Sequence, residues 1–260
     1  MSTTLAAKAL PLTVVIPTLN EEAQIGEALD ALSWADEVIV ADGGSTDDTV
    51  AIARARGALV LELCDETIGG QRNAAIALAR NLWVLALDAD ERVTPELERE
   101  LERVLARPSN AAYRLRDQTF FLGRERRRGR WSRDWHVRLF QRDRRFSADR
   151  VHEHLEAPEN IGSLRARVRH TPYRDLTHHL EKIVLYGRWA GEGLQRRGRR
   201  ASWTELAVRP LWRFVRDYFF YGSWLDGRYG FVTSALTAFS GFLKYAYLWE
   251  SEHHADSEET

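Results

Sequence analysis

Four carboxylates, Asp42, Asp88, Asp90 and Glu91, stand where short apolar runs stop. Asp42 follows Val38-Ile39-Val40-Ala41 and is trailed by Gly43-Gly44-Ser45, while Asp88-Ala89-Asp90-Glu91 follows Trp83-Val84-Leu85-Ala86-Leu87. Carboxylates at alternate positions past a strand are expected to point the same way, because side-chain direction repeats every two residues. Alone they repel. A hard divalent cation relieves that repulsion and completes its shell with water and substrate phosphates. The chemistry they suggest is therefore metal-assisted handling of a diphosphate. Two common phosphate-binding signatures are absent: no G-x-G-x-x-G follows the first apolar run, and no G-x-x-x-x-G-K-[ST] occurs.

These residues need a scaffold, and the first 105 residues supply the pattern of one. Leu12 to Ile16 reads as a strand buried on both faces. Ile25, Ala28, Leu29 and Leu32 follow at helical spacing, with Asn20 as the expected cap. Val38 to Ala41, Leu59 to Leu63 and Trp83 to Leu87 are further strands. The intervening helices start from Ser45 or Asp47 and end at Gly57, or run from Gln71 to Arg80. Thr94-Pro95 opens a helix through Leu97, Leu101 and Leu105, with a cap and a proline at its first position. Repeated βα units of this length predict an α/β fold with a mostly parallel sheet and helices on both faces. In such a sheet the ligand sits at the carboxyl ends of the strands, where Thr18, Asn20, Asp42, Asp88 and Asp90 all fall.

After Pro108 the pattern changes to short strands, Tyr113 to Phe121, His136 to Phe140, Val151 to Leu155 and Arg165 to His170, then a helix from Leu176 to Gly193. A last helical segment from about Thr204 to Trp249 is interrupted near Gly222 to Gly230, and the acidic tail from Glu250 is expected to fray. Three parts are expected: 1–107, 108–175 and 176–260.

The chain has 260 residues, 44% hydrophobic and 29% charged, which excludes disordered, collagenous and disulfide-scaffold classes. Its single cysteine, Cys64, forms no internal bridge, and the N-terminus does not read as a secretory signal, so a cytoplasmic site is expected. Net charge is -1, yet 34 of the 37 basic residues are arginine. Thirteen of them lie between Arg114 and Arg150, and eight between Arg188 and Arg216. Such clusters suit an anionic partner or a solvated surface. Aromatics from Trp212 to Trp224, mixed with Arg209, Arg213 and Arg216, suit an interfacial helix on anionic lipid or a helix packed in the core; a membrane span is the weakest reading of Gly230 to Trp249. Nucleic acid is not expected as a partner, because aromatics interleaved on strands are missing.

Four blocks in order, Val14 to Glu22, Glu37 to Asp47, Arg72 to Ala75 and Leu87 to Arg92, resemble the family 2 glycosyltransferases. Trp135 to Phe140, Arg150 to His154, His170 to Leu176, Leu225 to Gly227 and Lys244 to Glu250 narrow the resemblance to the lipopolysaccharide core glycosyltransferases of the WaaE (KdtX) type. The chain departs from that type at Ser132-Arg133, where a Tyr-Pro pair usually precedes the aspartate. The resemblance implies a GT-A fold and an inverting enzyme using Mg²⁺ or Mn²⁺, a UDP-sugar donor (UDP-glucose) and an inner-core heptose acceptor. It implies that Thr18, Asn20 and Glu22 line the nucleoside pocket, that Asp42 accepts from uracil, and that Arg72 reaches the diphosphate. Asp88 is assigned to ribose or metal and Asp90 to metal. Glu153 and Asp134 are the candidate general bases, with His152 a candidate third metal ligand. Another lipid-linked acceptor (a polyprenyl phosphate or capsule precursor) and a non-catalytic sugar-nucleotide binder stay open as alternatives.

Overall fold

The computed structural model describes residues 9–63, 67–132, 135–147, 154–156 and 160–258. Their order is β1 (Leu10–Thr18), α1 (Glu22–Asp30), β2 (Ala35–Asp42), α2 (Thr49–Ala55), β3 (Leu59–Glu62), α3 (Ile68–Leu78), β4 (Trp83–Ala86), β5 (Glu91–Val93), α4 (Pro95–Ala106), β6 (Ala112–Phe121), β7 (Arg124–Glu125), β8 (Trp135–Gln141), β9 (Ile161–His170), α5 (Leu176–Arg196), α6 (Arg209–Val215) and α7 (Arg228–Glu258). The described residues fall into two compact units: those of Met1–Asp117 with Trp135–His170, and those of Gln118–Asp134 with Thr171–Thr260.

In the first unit the strand order is β3-β2-β1-β4-β8-β6-β9-β5. The β3-β2-β1-β4 half is parallel, as the βα alternation predicts. From β4 onward the pairs run antiparallel: β4 with β8, β8 with β6, and β5 with β9. β1 is central and buried on both faces, which is why it reads as an unbroken apolar run. Leu12, Val14 and Ile16 turn to one face, against Ile25, Leu29, Leu97 and Leu101. Val15 turns to the other, with Ile39, Ala75, Ile76 and Phe140. The helices thus cover both faces, and the loops at the carboxyl ends of β1, β2 and β4 stay free for chemistry.

Helix ends show where local rules were overridden. Thr94 Oγ1 accepts from the Leu97 amide at 3.2 Å with Pro95 behind it, as expected. α3 begins at Ile68 rather than Gln71, because Thr67 caps it through the Gly70 amide. Asn20 does not cap α1. It takes a left-handed backbone, φ 55°, and its side chain is drawn to another loop. Asp47, just before α2, accepts from both the amide and the hydroxyl of Thr49. Of the expected strand Val151 to Leu155 only 154–155 are described, and Leu155 bridges Phe146 antiparallel.

The second unit is mostly helical. α5 starts at Asp175, whose carboxylate accepts from the His178 amide, and Gly187 and Gly191 let α7 approach closely beside Leu243 and Tyr247. The chain from Thr204 to Phe220 is one continuous helical run, with wide π-type turns at Thr204–Val208 and Arg216–Phe220 flanking α6. Gly222 and Gly227, both at positive φ, bracket a short 3₁₀ turn before α7, where the sequence predicts a break. α7 extends helically to Glu258 instead of fraying from Glu250. Glu252 accepts from the Ala201 amide at 2.6 Å, which ties that last stretch down. No described helix is long and apolar enough to cross a membrane.

Two features of this unit explain residues that looked chemical in the sequence. Arg126, the centre of the arginine run, is buried and pairs with Asp226 at 2.8 Å. It is a structural cation, unlike its exposed neighbours Arg127 and Arg128. His179, only 2% exposed, stacks on Tyr173 at 3.5 Å and meets Phe121 and Trp131 edge-on or tilted. Burial, aided by His178 and Lys182, lowers its pKa to about 4 from 6.5. The unfolded chain takes up a proton at this residue near pH 6.5, the folded chain only near 4. Its contribution is therefore present above about 6.5 and is lost as the pH falls toward 4. We expect His179→Phe to keep the ring packing and to flatten the fall in unfolding midpoint between pH 6.5 and 4.5. An unchanged slope in denaturant titrations would place the acid sensitivity elsewhere.

Candidate functional site

The carboxyl ends of β1 and β2 are paired, Thr18 opposite Asp42, and the loops beyond them are laced together. Asp42, 1% exposed, accepts from the hydroxyls of Thr18 and Ser45 with one oxygen, and from the amides of Gly44 and Ser45 with the other. It closes the turn through Gly44 and Ser45 that follows β2. A carboxylate offers about four lone-pair sites, so a uracil N–H could be accepted only if one of these bonds gives way. Asn20 accepts from the Thr46 amide at 2.9 Å, its own amide donates to Ser45 Oγ, and Glu22 accepts from the Asp48 amide. Thr18, Asn20 and Glu22 therefore act together, holding the loop after β1 against the loop after β2. Gly43 gives the Gln71 side chain room here, since a Cβ would stand 2.4 Å from its Nε2 and push it aside.

The second cluster surrounds Asp88 and Asp90, whose side chains part company. β4 ends at Ala86, so strand alternation no longer applies, and a turn closed by the Glu91 amide on the Asp88 carbonyl redirects them. Asp88 is gripped by Arg72 from α3 on one oxygen and by Arg138 from β8 on the other. Burial opposes its ionisation, yet the two guanidiniums hold its carboxyl well below the usual range. Arg72 is buried, lies over the Phe146 ring at 4.9 Å, and is committed to Asp88 rather than to a surface ion pair. Glu91, 1% exposed, accepts from the Asp88 amide at 2.9 Å and pairs with Arg138. Burial raises its pKa to about 8, partly offset by Arg138.

Asp90 faces a different partner. Register pairs Glu91 of β5 with His170, the last residue of β9. This brings His170 Nε2 to 3.4 Å from Asp90 Oδ1, while its Nδ1 stands 3.3 Å from Asp117 Oδ2. Burial works against a charged ring, but hydrogen bonding to Asp117 and Asp90 raises the His170 pKa well above its ordinary value. Asp117 is correspondingly lowered, and His136 approaches it at 3.7 Å. Glu91, Asp117 and His170 offer ligand atoms within 4.8 Å of one another. Arg138 occupies Glu91, however, which leaves Asp90 with His170 as the better cation pair, and Asp117 behind the ring as its orienting carboxylate. A carboxylate on the second nitrogen is the usual support of a metal-ligating histidine.

The structure thus gathers Thr18, Asn20, Glu22 and Asp42 into one group and Arg72, Asp88 and Asp90 into another. Glu153, Asp134 and His152 lie outside the described residues. Sequence reasoning missed Arg138, Asp117 and His170 as members. Arg138 and His170 sat inside motif blocks that carried a resemblance but no role, and Asp117 was one acid among thirteen arginines. Only β-pairing could show that β8 flanks β4, that β9 flanks β5 and that β6 lies between them. Breaking a buried ion pair by removing one partner costs about 3–5 kcal/mol. Arg138→Met is expected to lose about that much unfolding free energy, read by chemical denaturation, and a loss below about 1 kcal/mol would show that the acidic turn does not depend on it.

Comparison with known proteins agrees with this geometry. Residues 13–169 match the model of glycosyl transferase family 2. An uncharacterized glycosyltransferase of Rickettsia typhi is 29% identical over 249 residues, covering 90% of this chain and 85% of its own. The lipopolysaccharide core biosynthesis glycosyltransferase LpsC of Rhizobium meliloti is 27% identical over 258 residues, covering 93% of each. Among solved structures, glucosyl-3-phosphoglycerate synthase from Mycobacterium tuberculosis with Mn²⁺, UDP-glucose and phosphoglyceric acid is 28% identical, with a TM-score of 0.36 over 42% of this chain and 43% of that one. With the family model spanning more than half of the chain and a βα sheet carrying its acidic turn after β4, this protein belongs to the family 2 glycosyltransferases and has their GT-A fold.

Proposed function

We propose that the chain transfers a hexose, glucose from UDP-glucose, with inversion onto an inner-core sugar such as heptose of lipopolysaccharide, at the cytoplasmic face of the bacterial membrane. The likeness to LpsC over nearly the whole of both chains supports the acceptor class. The observation that carries the donor site is the arrangement Asp90–His170–Asp117 beside the arginine-held Asp88.

Asp90 and His170 would hold a Mg²⁺ or Mn²⁺ ion, with His170 in place of the His152 suggested by sequence. When bound, the cation supplies positive charge toward a leaving diphosphate. Thr18, Asn20 and Glu22, through the laced loops, shape the nucleoside pocket, with Asp42 on the uracil side and Asp88 on the ribose. In the transfer itself the acceptor hydroxyl attacks the anomeric carbon, the C–O bond to the diphosphate breaks, and its electron pair leaves with the nucleotide. A general base takes the hydroxyl proton; Glu153 is preferred over Asp134 because of its histidine neighbours. The same donor site would serve a polyprenyl phosphate or capsule precursor, since acceptor choice lies outside it.

Thermal unfolding against UDP-, GDP-, ADP- and dTDP-sugars, each with Mn²⁺, Mg²⁺ or EDTA, tests the donor reading. A ligand at 100 times its Kd adds about 2.7 kcal/mol to the folded state. UDP-hexoses are expected to raise the melting temperature only with cation, and Asp90→Ala and His170→Ala should each abolish the cation-dependent part. Stabilisation that survives EDTA, or a flat panel, overturns the site. Glu153→Gln should retain donor stabilisation and lose transfer to heptose-terminated lipopolysaccharide; full turnover would move the base to Asp134.

A further inference from the structure

The helical run of the second unit is inverted relative to a water-soluble helix. Its acids are turned inward. Asp217, 5% exposed, accepts from the Arg130 amide at 2.8 Å and from the Ser234 hydroxyl at 2.7 Å, and Glu205, equally buried, accepts from Arg199 and pairs with Arg209. Its apolar residues are turned outward: Phe220 is 68% exposed, Leu211 65%, Phe219 58% and Trp212 53%, with Leu225 and Trp224 similarly open in the turn that follows. The Trp212 and Phe220 rings meet at 5.7 Å across the wide turn, and Leu211 and Phe219 adjoin them in the chain, so these side chains form a patch rather than scattered positions. A contiguous exposed apolar patch of this kind marks a docking surface.

The charges around it select the occupant. Between Arg196 and Arg228 the sequence places eight arginines and three acids. Glu205 and Asp217 are buried, and Asp226 is engaged by Arg126. Arg196, Arg197, Arg199, Arg200, Arg209 and Arg228 are exposed. The charge that this stretch presents to its surroundings is therefore cationic throughout. A second copy of the chain would bring the same positive rim against itself and be repelled. Nucleic acid would satisfy the arginines and leave leucine and phenylalanine in water. A bilayer with anionic headgroups satisfies both, taking aromatic and aliphatic side chains into the interface and pairing arginines with phosphates. Since no described helix is able to cross, the segment lies along the surface.

We propose that Leu211, Trp212, Phe219, Phe220, Trp224 and Leu225, ringed by exposed arginines, dock the enzyme onto the anionic phospholipid surface of a membrane. This deepens the reading of an amphiphilic acceptor, yet its test involves neither donor nor acceptor. The full chain is mixed with vesicles of phosphatidylglycerol and phosphatidylethanolamine, or of phosphatidylcholine alone, and floated on a density gradient. Wild type is expected to float with the anionic vesicles, at least about tenfold more than with the neutral ones, and to be released at high salt. Trp212→Gln/Phe220→Gln, both at the surface, should lose about tenfold in flotation while retaining its melting temperature and any stabilisation by UDP-hexose. Equal flotation on neutral vesicles, no flotation at all, or a variant that floats like wild type overturns the proposal. A wild-type dimer on size exclusion that the double variant converts to monomer, with flotation unchanged, makes the face a self-association surface instead. Loss of transfer with flotation intact counts against the proposed function and not against this surface.

Discussion

Several acidic groups have to share one small volume at the end of β4, and that constraint organises the rest of the first unit. Asp88, Asp90, Glu91 and Asp117 are drawn together by the turn after β4 and by the pairing of β5 with β9. They are tolerated because Arg138, Arg72 and the His170 ring are interleaved among them. Arg138 matters most: one guanidinium nitrogen spans Asp88 and Glu91, and these acids, with Asp117, keep that group protonated despite its burial. The antiparallel half of the sheet brings this cation from β8 and the imidazole from β9 to the rim of the parallel half.

The loops after β1 and β2 solve a milder version of the same problem. Beyond the strand ends their backbone amides have no ladder partner and need another acceptor. Asp42, Asn20 and Asp47 accept from them in turn, so the side chains that looked like ligands also hold the two loops in place. A nucleotide entering here would exchange internal hydrogen bonds for its own, which favours a selective site over a tight one.

The second unit follows a different logic. Buried Asp217, Ser223 and Ser234 form its polar heart, with Arg126 and Asp226 paired beside them, and large apolar side chains lie outside. Close approach is obtained with glycine: a Cβ on Gly230 would fall 1.7 Å from the Ser223 carbonyl oxygen, and one on Gly129 2.4 Å from the Ser223 hydroxyl. Small residues at the contacts let the helices close without large apolar side chains between them, which releases those side chains to the surface.

Much of this was legible in the chain alone. Buried strands announce themselves as short apolar runs, helices as periodic ones, and the acidic positions at strand ends follow from where those runs stop. The βα half and the places of Asp42, Asp88 and Asp90 could therefore be read without any knowledge of tertiary contacts. Local pattern says where a residue sits along its own element, but not which element lies beside it. That Asn20 holds a loop instead of capping α1, that Asp88 and Asp90 face different partners, and that Arg138, Asp117 and His170 complete the cluster all depend on strand neighbours far apart in sequence. The same holds for Arg126, which reads as part of a solvated basic run and is buried because Asp226, a hundred residues later, meets it there. Charges inside a protein are placed by their partners, and tertiary structure alone supplies those.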